Sequence, residues 1–358
     1  MIKKITAFSI APDHSQVAIG YEDGTIRRLP VVSSSTTPED SPVQPFSYNP
    51  HLSRTSVTSL EYFPSSRVLL SGGMDFTLHI LDASPDLSPT SPANPARTFK
   101  GHIRSITDTA MVSRGRNILS CAKDGTTRLW DVPSGSQIRI FGSQAYSPIN
   151  SMSLGDKPAH WTDLQAPNGE AADTTQEQVL DTREVDTAGK IFFTALQDGH
   201  FEGHDLRSKA SFYHSSSSSM YQRLGSLSSV SYSMASSLVA TGSTRGVVSI
   251  FDIRKLPSTL CSFQRNNSAI GDLTFVLPSQ DRGDKGLQLV GDLPSQVCLA
   301  IATEDGLPYL AGVRPDGPEV LAELTCGECD AVRHIRSLDS GEIWTASEDG
   351  IIRMYLKS

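Results

Sequence analysis

One local pattern constrains this 358-residue chain more than any other: an apolar run, an Asp-Gly pair and a second apolar run, repeated from one end to the other. Its fullest copy lies in RTFKGHIRSITDTAMVSRGRNILSCAKDGTTRLWD (97–131), which opens near a Gly-His and closes on Trp-Asp. The pattern returns in VAIGYEDGTIRRL (17–29), in LLSGGMDFTLHIL (69–81), where Phe76 replaces the glycine, and in FFTALQDGHFEGH (192–204). It returns again in VATGSTRGVVSIF (239–251), where Arg245 replaces the aspartate, in LAIATEDGLPYLA (299–311) and in IWTASEDGIIRMY (343–355). Measured between Asp23, Asp75, Asp124, Asp198, Arg245, Asp305 and Asp349, the gaps are 52, 49, 74, 47, 60 and 44 residues. Each copy reads as a β-hairpin. Asp-Gly supplies the positive φ angles of a tight two-residue turn, and the flanks are short and rich in β-branched residues. No segment carries a long, capped helical period, so the chain reads as almost entirely β.

Alternating runs precede several hairpins: ITAFSIAP (5–12), VTSLEYFP (57–64), ITDTAMV (106–112), VSYSMAS (230–236) and VRHIRSL (332–338). With an outer strand added, each unit has four strands. Four-stranded units at a spacing of about 40–50 residues with Gly-His and Trp-Asp marks are the signature of propeller blades. The expectation is therefore an all-β, seven-bladed WD-repeat β-propeller occupying 1–358 as a single domain. Loop insertions are expected near 30–56, 83–97, 156–188 and 266–296. In the fullest copy, His102, Ser120, Asp124 and Trp130 sit where such blades place a buried hydrogen-bond chain, which is favourable only when every member is paired. Other copies keep fragments: Ser71 and Asp75; Thr345, Asp349 and Tyr355; Thr241 and Phe251. Those blades must lean on apolar packing between neighbours. Propellers usually complete the last blade with a strand from upstream of the first. Blade one begins near Ile5, so the expectation is a three-stranded last blade or a preceding native segment absent from this sequence.

Composition narrows the function. The formal charge of −8 argues against nucleic-acid binding through a broad basic surface. No apolar run is long enough for a membrane helix, and Met1-Ile2-Lys3-Lys4 leads into no apolar signal core. Five cysteines, an odd and low number, point to a reducing compartment. The stretch 156–188 holds eight acids against Lys157 and Arg183, and reads as a solvated acidic loop. The serine run 215–219 reads as a turn.

There is no phosphate-binding Gly-x-x-x-x-Gly-Lys loop, no His-Glu-x-x-His and no Gly-x-Ser-x-Gly elbow. Cys326-Gly-Glu-Cys329 lacks both a second ligand pair and a helix start, so it reads as a turn rather than a zinc or redox site. Cys121, Cys261 and Cys298 read as small core residues. Asp198, His200, His204 and Asp205 form a tempting cluster, but His204 holds the place of Trp130 and reads as a packed side chain. No cofactor and no metal are expected, and the chain reads as non-enzymatic.

Beyond the repeat marks, LLSGGMD (69–75), RTFKGH (97–102), DTAMVSRGRN (108–117), DGTTRLWD (124–131), REVDTAGK (183–190), LTCGECDAV (324–332) and DGIIRMY (349–355) run through the chain in order. In these the sequence resembles the proteasomal ATPase-associated factor family, WD-repeat chaperones of regulatory-particle assembly. That resemblance implies a non-enzymatic monomer that transiently binds the C-terminal domain of a proteasomal AAA-ATPase subunit. It would guide assembly of the 19S base, in the cytoplasm and nucleus. Family members carry a segment before the first blade that this chain lacks, and residues 156–177 have no clear family counterpart. In such a fold, the turns between second and third strands and the loops leading into the first strands share one face. The turns would show Asp23, Asp75, Lys123, Asp198, Arg245, Asp305 and Glu348 there, and the loops Arg104, Glu328 and Asp330. Acids outnumber bases, which suits a basic partner surface. The alternative is a scaffold, or a substrate adaptor of a ubiquitin ligase or signalling complex.

Overall fold

The structure is a computed structural model that describes residues 3–31, 46–52, 54–84, 94–158, 181–215, 225–276, 297–314, 317–325 and 330–355, with the backbone of 289–290 and 293–294. Seven antiparallel sheets follow one another along the chain as blades 1 to 7. From the inner strand outward, blade 1 is Ile5–Ile10, Gln16–Tyr21, Ile26–Pro30 and Phe46–Tyr48; blade 2 is Val57–Tyr62, Val68–Gly73, Thr77–Asp82 and Arg97–Lys100. Blade 3 is Ile106–Val112, Asn117–Ala122, Thr126–Asp131 and Ser136–Gly142; blade 4 is Ile149–Asp156, Lys190–Leu196, Phe201–Asp205 and Ser211–His214. Blade 5 is Leu227–Ser233, Leu238–Ser243, Val247–Asp252 and Thr259–Gln264; blade 6 is Ile270–Val276, Val297–Thr303, Tyr309–Arg314 and Gly317–Glu323. Blade 7 has three strands, Val332–Ser337, Ile343–Ser347 and Ile352–Tyr355. The protein is thus a seven-bladed β-propeller. Two stretches read as insertions contain strands: Phe46–Tyr48 lies within 30–56, and the inner strand Ile270–Val276 lies within 266–296. Both are short or interrupted patterns, which alternation alone does not isolate.

The hydrophobic core is a ring of seven separate layers, one between each pair of neighbouring blades. Each sheet is apolar on both faces, so every second strand reads as a continuous buried run, as in Asn117–Ala122 and Leu238–Ser243. Large side chains fill the layers: Phe99 and Trp130 meet between blades 2 and 3, and Phe201 and Phe251 between blades 4 and 5. The layer between blades 7 and 1 closes the ring face to face. Ile5, Phe8, Val17, Ile19 and Tyr21 of blade 1 pack on Ala346, Trp344 and Ile352 of blade 7.

A bulge recurs at the start of the inner strand in every blade, as between Ile5/Ala7, Val57/Ser59 and Ile149/Ser151. A bulge adds local twist and re-aims one side chain. In blades 3 and 5 the re-aimed hydroxyl reaches the next blade: Thr107 Oγ1 donates to the Ile149 carbonyl at 3.0 Å, and Ser228 Oγ to that of Ile270 at 2.6 Å. In blade 6 the bulge residue is Gly271, where a Cβ would come within 2.6 Å of the Val332 carbonyl of blade 7.

The Asp-Gly turns differ from expectation. In blade 1 the Gly24 N–H donates to the Tyr21 carbonyl, the Asp23 carboxylate accepts from the Thr25 N–H, and only Gly24 has positive φ. These are four-residue turns closed by a left-handed glycine, not two-residue turns with two positive φ angles. The aspartate is there to cap the turn backbone. The left-handed position is filled by Gly24, Gly125, Gly199, Gly246, Gly306 and Gly350, and in blade 2 by Phe76 at φ +68°. At Gly125 a Cβ would approach the Tyr146 carbonyl oxygen to 2.5 Å. We expect Gly125→Ala to lower stability by about 2 kcal/mol, and Phe76→Gly to leave it unchanged or raise it by up to about 1 kcal/mol, both read from denaturant midpoints.

Candidate interaction face

The turns between second and third strands share one side of the ring with the loops that lead into the inner strands; a Cβ on Gly24 would meet the Thr55 carbonyl of the next lead-in loop at 3.0 Å. This turn face is held in shape by buried hydrogen-bond chains. In blade 3, His102 Nδ1 donates to Asp124 Oδ2 at 2.8 Å, His102 Nε2 lies 2.8 Å from Ser120 Oγ, and Trp130 Nε1 donates to the same Oγ at 2.9 Å. Asp124 also accepts the Ile103 and Thr126 N–H groups. Burial raises the Asp124 carboxyl, but its bonds to His102 and Thr126 outweigh that and hold it far below the usual carboxylate range. The chain ties the lead-in loop, the second strand, the turn and the third strand together.

Blade 2 holds a second chain that sequence reasoning missed. His51 Nδ1 donates to Asp75 Oδ1 at 3.0 Å, and its Nε2 lies 3.1 Å from Ser71 Oγ. The signal was the spacing: His51 precedes Asp75 by 24 residues as His102 precedes Asp124 by 22. Pro50 in place of the glycine before His102 hid it. His51, Asp75 and His79 bring ligand atoms within 4.8 Å of one another. Their ring nitrogens are already engaged, His79 with Thr77 Oγ1 and Thr98 Oγ1. Burial and the neighbouring His51 push His79 down to about 4. The trio serves as packing and hydrogen bonding, and a metal would have to displace those bonds.

The ten sequence-selected contact residues fare differently. Asp75 is corrected: its side chain is 3% exposed and is consumed by His51, Leu52 N–H and Thr77, so it offers no surface. Asp23 pairs with Lys3 at 2.6 Å, and Asp198 lies 3.1 Å from His200. Asp305 accepts from Thr303, Leu307 and Asn266. Glu348 bonds Lys4 at 2.9 Å and Arg333 at 2.6 Å, and Arg333 also pairs with Glu304. That network joins blades 1, 7 and 6, and the hydrogen bond with Lys4 is foremost in holding the Glu348 carboxyl low. Lys123 bonds Asn150, and burial lowers its amine. Arg104, Arg245 and Asp330 are exposed. Glu328, with Cys326 and Cys329, lies outside the described residues, as does most of the acidic stretch 156–188. Of the expected acidic rim, Asp23 and Glu348 are thus paired with the protein's own bases, while Asp75 and Asp305 are spent on hydrogen bonds to neighbouring side chains and backbone. The Asp198–Asp205 cluster also separates: His204 stacks on Phe192 at 4.8 Å and bonds Glu202, while Asp205 pairs with Lys157.

What the rim does show is apolar. Among the described residues, seven of thirteen exposed large hydrophobic side chains lie on turns or lead-in loops of this face: Leu52, Met74, Phe76, Ile103, Tyr146, Leu307 and Ile351. Charge bookkeeping cannot find them, because an apolar residue in a turn has no periodic signature.

Through the ring runs a channel of about 400 Å³ lined by the inner strands. It collects Glu61, Asp108, Asp272 and Arg336. Asp272 accepts from Arg336 and from the Ile335 N–H, which outweighs burial and keeps it ionised. Burial, then the nearby Asp108, push Glu61 up to about 8. Folded Glu61 thus holds a proton that the unfolded chain has lost, so stability falls as pH rises from the ordinary 4.5 toward about 8. Ser120→Ala should cost about 2–3 kcal/mol, because both His102 and Trp130 lose a partner. Glu61→Gln should stabilise by about 1–3 kcal/mol at neutral pH, with no gain near pH 4, read as the pH profile of the melting temperature.

The WD domain, G-beta repeat family matches residues 43–82 and 93–131, which contain the histidine chains of blades 2 and 3. MST50-interacting protein 11 of Pyricularia oryzae is 37% identical over 84 residues, 24% of this chain and 25% of that protein. The chain thus matches only about a quarter of that relative's length. It carries WD40 repeats on a seven-bladed propeller, an architecture that typically serves protein–protein interaction.

Proposed function

We propose that the protein is a non-enzymatic interaction platform that receives a protein partner on the turn face. The observation that carries this reading is the concentration of exposed apolar side chains there, with the loops of blades 2 and 3 fixed from beneath by buried hydrogen bonds. Rigid loops with uncovered apolar residues suit docking, because little ordering entropy remains to be lost on binding. The histidines and acids a catalyst would use are engaged in structural bonds at His51, His102 and His204.

Within that class, the resemblance to proteasomal ATPase-associated factors supports an assembly chaperone. It would be a monomer that binds the C-terminal domain of an AAA-ATPase subunit, in cytoplasm and nucleus, before the 19S base is complete. Salt links would contribute modestly, since surface ion pairs are worth about 0–1 kcal/mol each. A second reading, a scaffold or ligase adaptor, draws on the matched relative, whose name records an interaction with MST50. Titration of the purified chain with each isolated ATPase C-terminal domain, followed by calorimetry, separates the two. We expect one domain to form a one-to-one complex and the chain to be missing from purified holoenzyme. Failure of every ATPase domain to bind, together with recovery of ubiquitin-ligase or signalling-complex subunits by affinity mass spectrometry, would transfer the function to the second reading.

A further inference from the structure

Resting on the interaction reading, we infer that blades 2 and 3 form the docking patch itself and that its occupant is an acidic peptide segment with apolar anchors, with Phe76 as the central contact. Three observations meet at Phe76. Its backbone is left-handed at φ +68°, at the turn position that glycine fills in the other described Asp-Gly turns. In blades 1, 3 and 5 a Cβ there would meet carbonyls of the following lead-in loop, at 3.0 Å for Gly24, 2.5 Å for Gly125 and 2.3 Å for Gly246. A phenylalanine in this position carries a backbone cost that glycine avoids, and its side chain is 42% exposed. Much of that side chain is left uncovered in the free protein, and strain of this kind collects at functional positions.

The surroundings extend the patch. Leu52 is 68% exposed, and its N–H donates to Asp75, directly before Phe76. Met74, on the other side of Asp75, is 47% exposed. Ile103, 74% exposed, donates its N–H to Asp124 of blade 3, and Tyr146, 70% exposed with φ +52°, lies over the Gly125 turn of that blade. An exposed apolar group of this extent marks a binding surface.

The charge of the patch selects the occupant. Arg54, Lys100 and Arg104 are exposed on the loops and strand end around it. The acids of these two turns, Asp75 and Asp124, have side chains 3% and 1% exposed and are spent in the histidine chains. On the blade 1 turn that abuts the Leu52–Thr55 loop, Asp23 is paired with Lys3 and Glu22 is exposed, so Arg54, Lys100 and Arg104 outnumber the exposed acid and this sector is locally basic in a chain of net charge −8. A basic rim around apolar side chains complements an amphipathic segment rich in Asp and Glu.

Selection from a displayed library of random dodecapeptides on the purified protein tests this. Enriched peptides should be net acidic with aromatic or aliphatic residues. Synthetic copies should bind roughly tenfold more weakly to Phe76→Gly and to the Arg54→Glu/Arg104→Glu pair. Phe76→Gly is a clean probe, since its melting temperature should equal or exceed that of the parent. The inference is overturned if selection enriches basic or uncharged peptides, if it enriches none, or if acidic peptides bind Phe76→Gly as well as the parent. It is also overturned if a single-stranded RNA binds the patch in their place. An ATPase domain that binds parent and Phe76→Gly equally would sink this patch while leaving the chaperone reading intact. Acidic peptides that depend on Phe76, with no ATPase domain binding, would do the reverse.

Discussion

Every blade of this propeller is apolar on both faces, and no blade can be stable until both are covered. That requirement organises the molecule. A sheet such as blade 3 buries Ile118 and Trp130 against blade 2, and Leu119 and Leu129 against blade 4. Only a closed ring covers all seven sheets at once. The inner-strand bulges supply twist at the point where blades converge, and the re-aimed side chains of Thr107 and Ser228 stitch neighbours together across the converging edge. On the blade 7 side of the closing layer, among the described residues, Ala346 is fully buried while Trp344 and Ile352 are only partly so. There polar contacts supplement packing: His334 Nε2 donates to the Thr6 carbonyl at 3.0 Å, and Lys4, Glu348 and Arg333 bridge the seam.

The turn face inherits its rigidity from this packing. In blades 2 and 3 the lead-in loops are pinned to the turns by histidine–aspartate bonds that would be costly to break in so dry a setting. The same pinning consumes the carboxylates that look, in one dimension, like surface charge. Asp75 and Asp124 are architectural, and Asp23, Asp305 and Glu348 are occupied by local partners. The residues that this architecture leaves exposed on the face are of another kind. These are the apolar side chains beside the turns and the arginines flanking them.

Much of this was legible in the sequence. Seven hairpins and five inner strands stood out because period-two alternation and Asp-Gly turns are local signals. The hydrogen-bond chain of blade 3 was readable residue by residue, since His102, Ser120, Asp124 and Trp130 keep the spacing of a WD repeat. The chain of blade 2 was not, because Pro50 broke the Gly-His mark while the bond between His51 and Asp75 persisted. The inner strands of blades 4 and 6 lacked clean alternation, and the turn type was misjudged because Asp-Gly serves both two-residue turns and four-residue turns with a left-handed glycine.

By itself the sequence determined the repeat number, the β character and the positions of the turns, because each depends on residues close together in the chain. The tertiary structure alone decided which charges remain available and which hydrophobic residues stay uncovered. Those properties depend on neighbours brought together across the ring: Lys4 against Glu348 over a separation of 344 residues, and Arg336 against Asp272 inside the channel. No local pattern encodes such meetings, because they follow from closure of the whole ring.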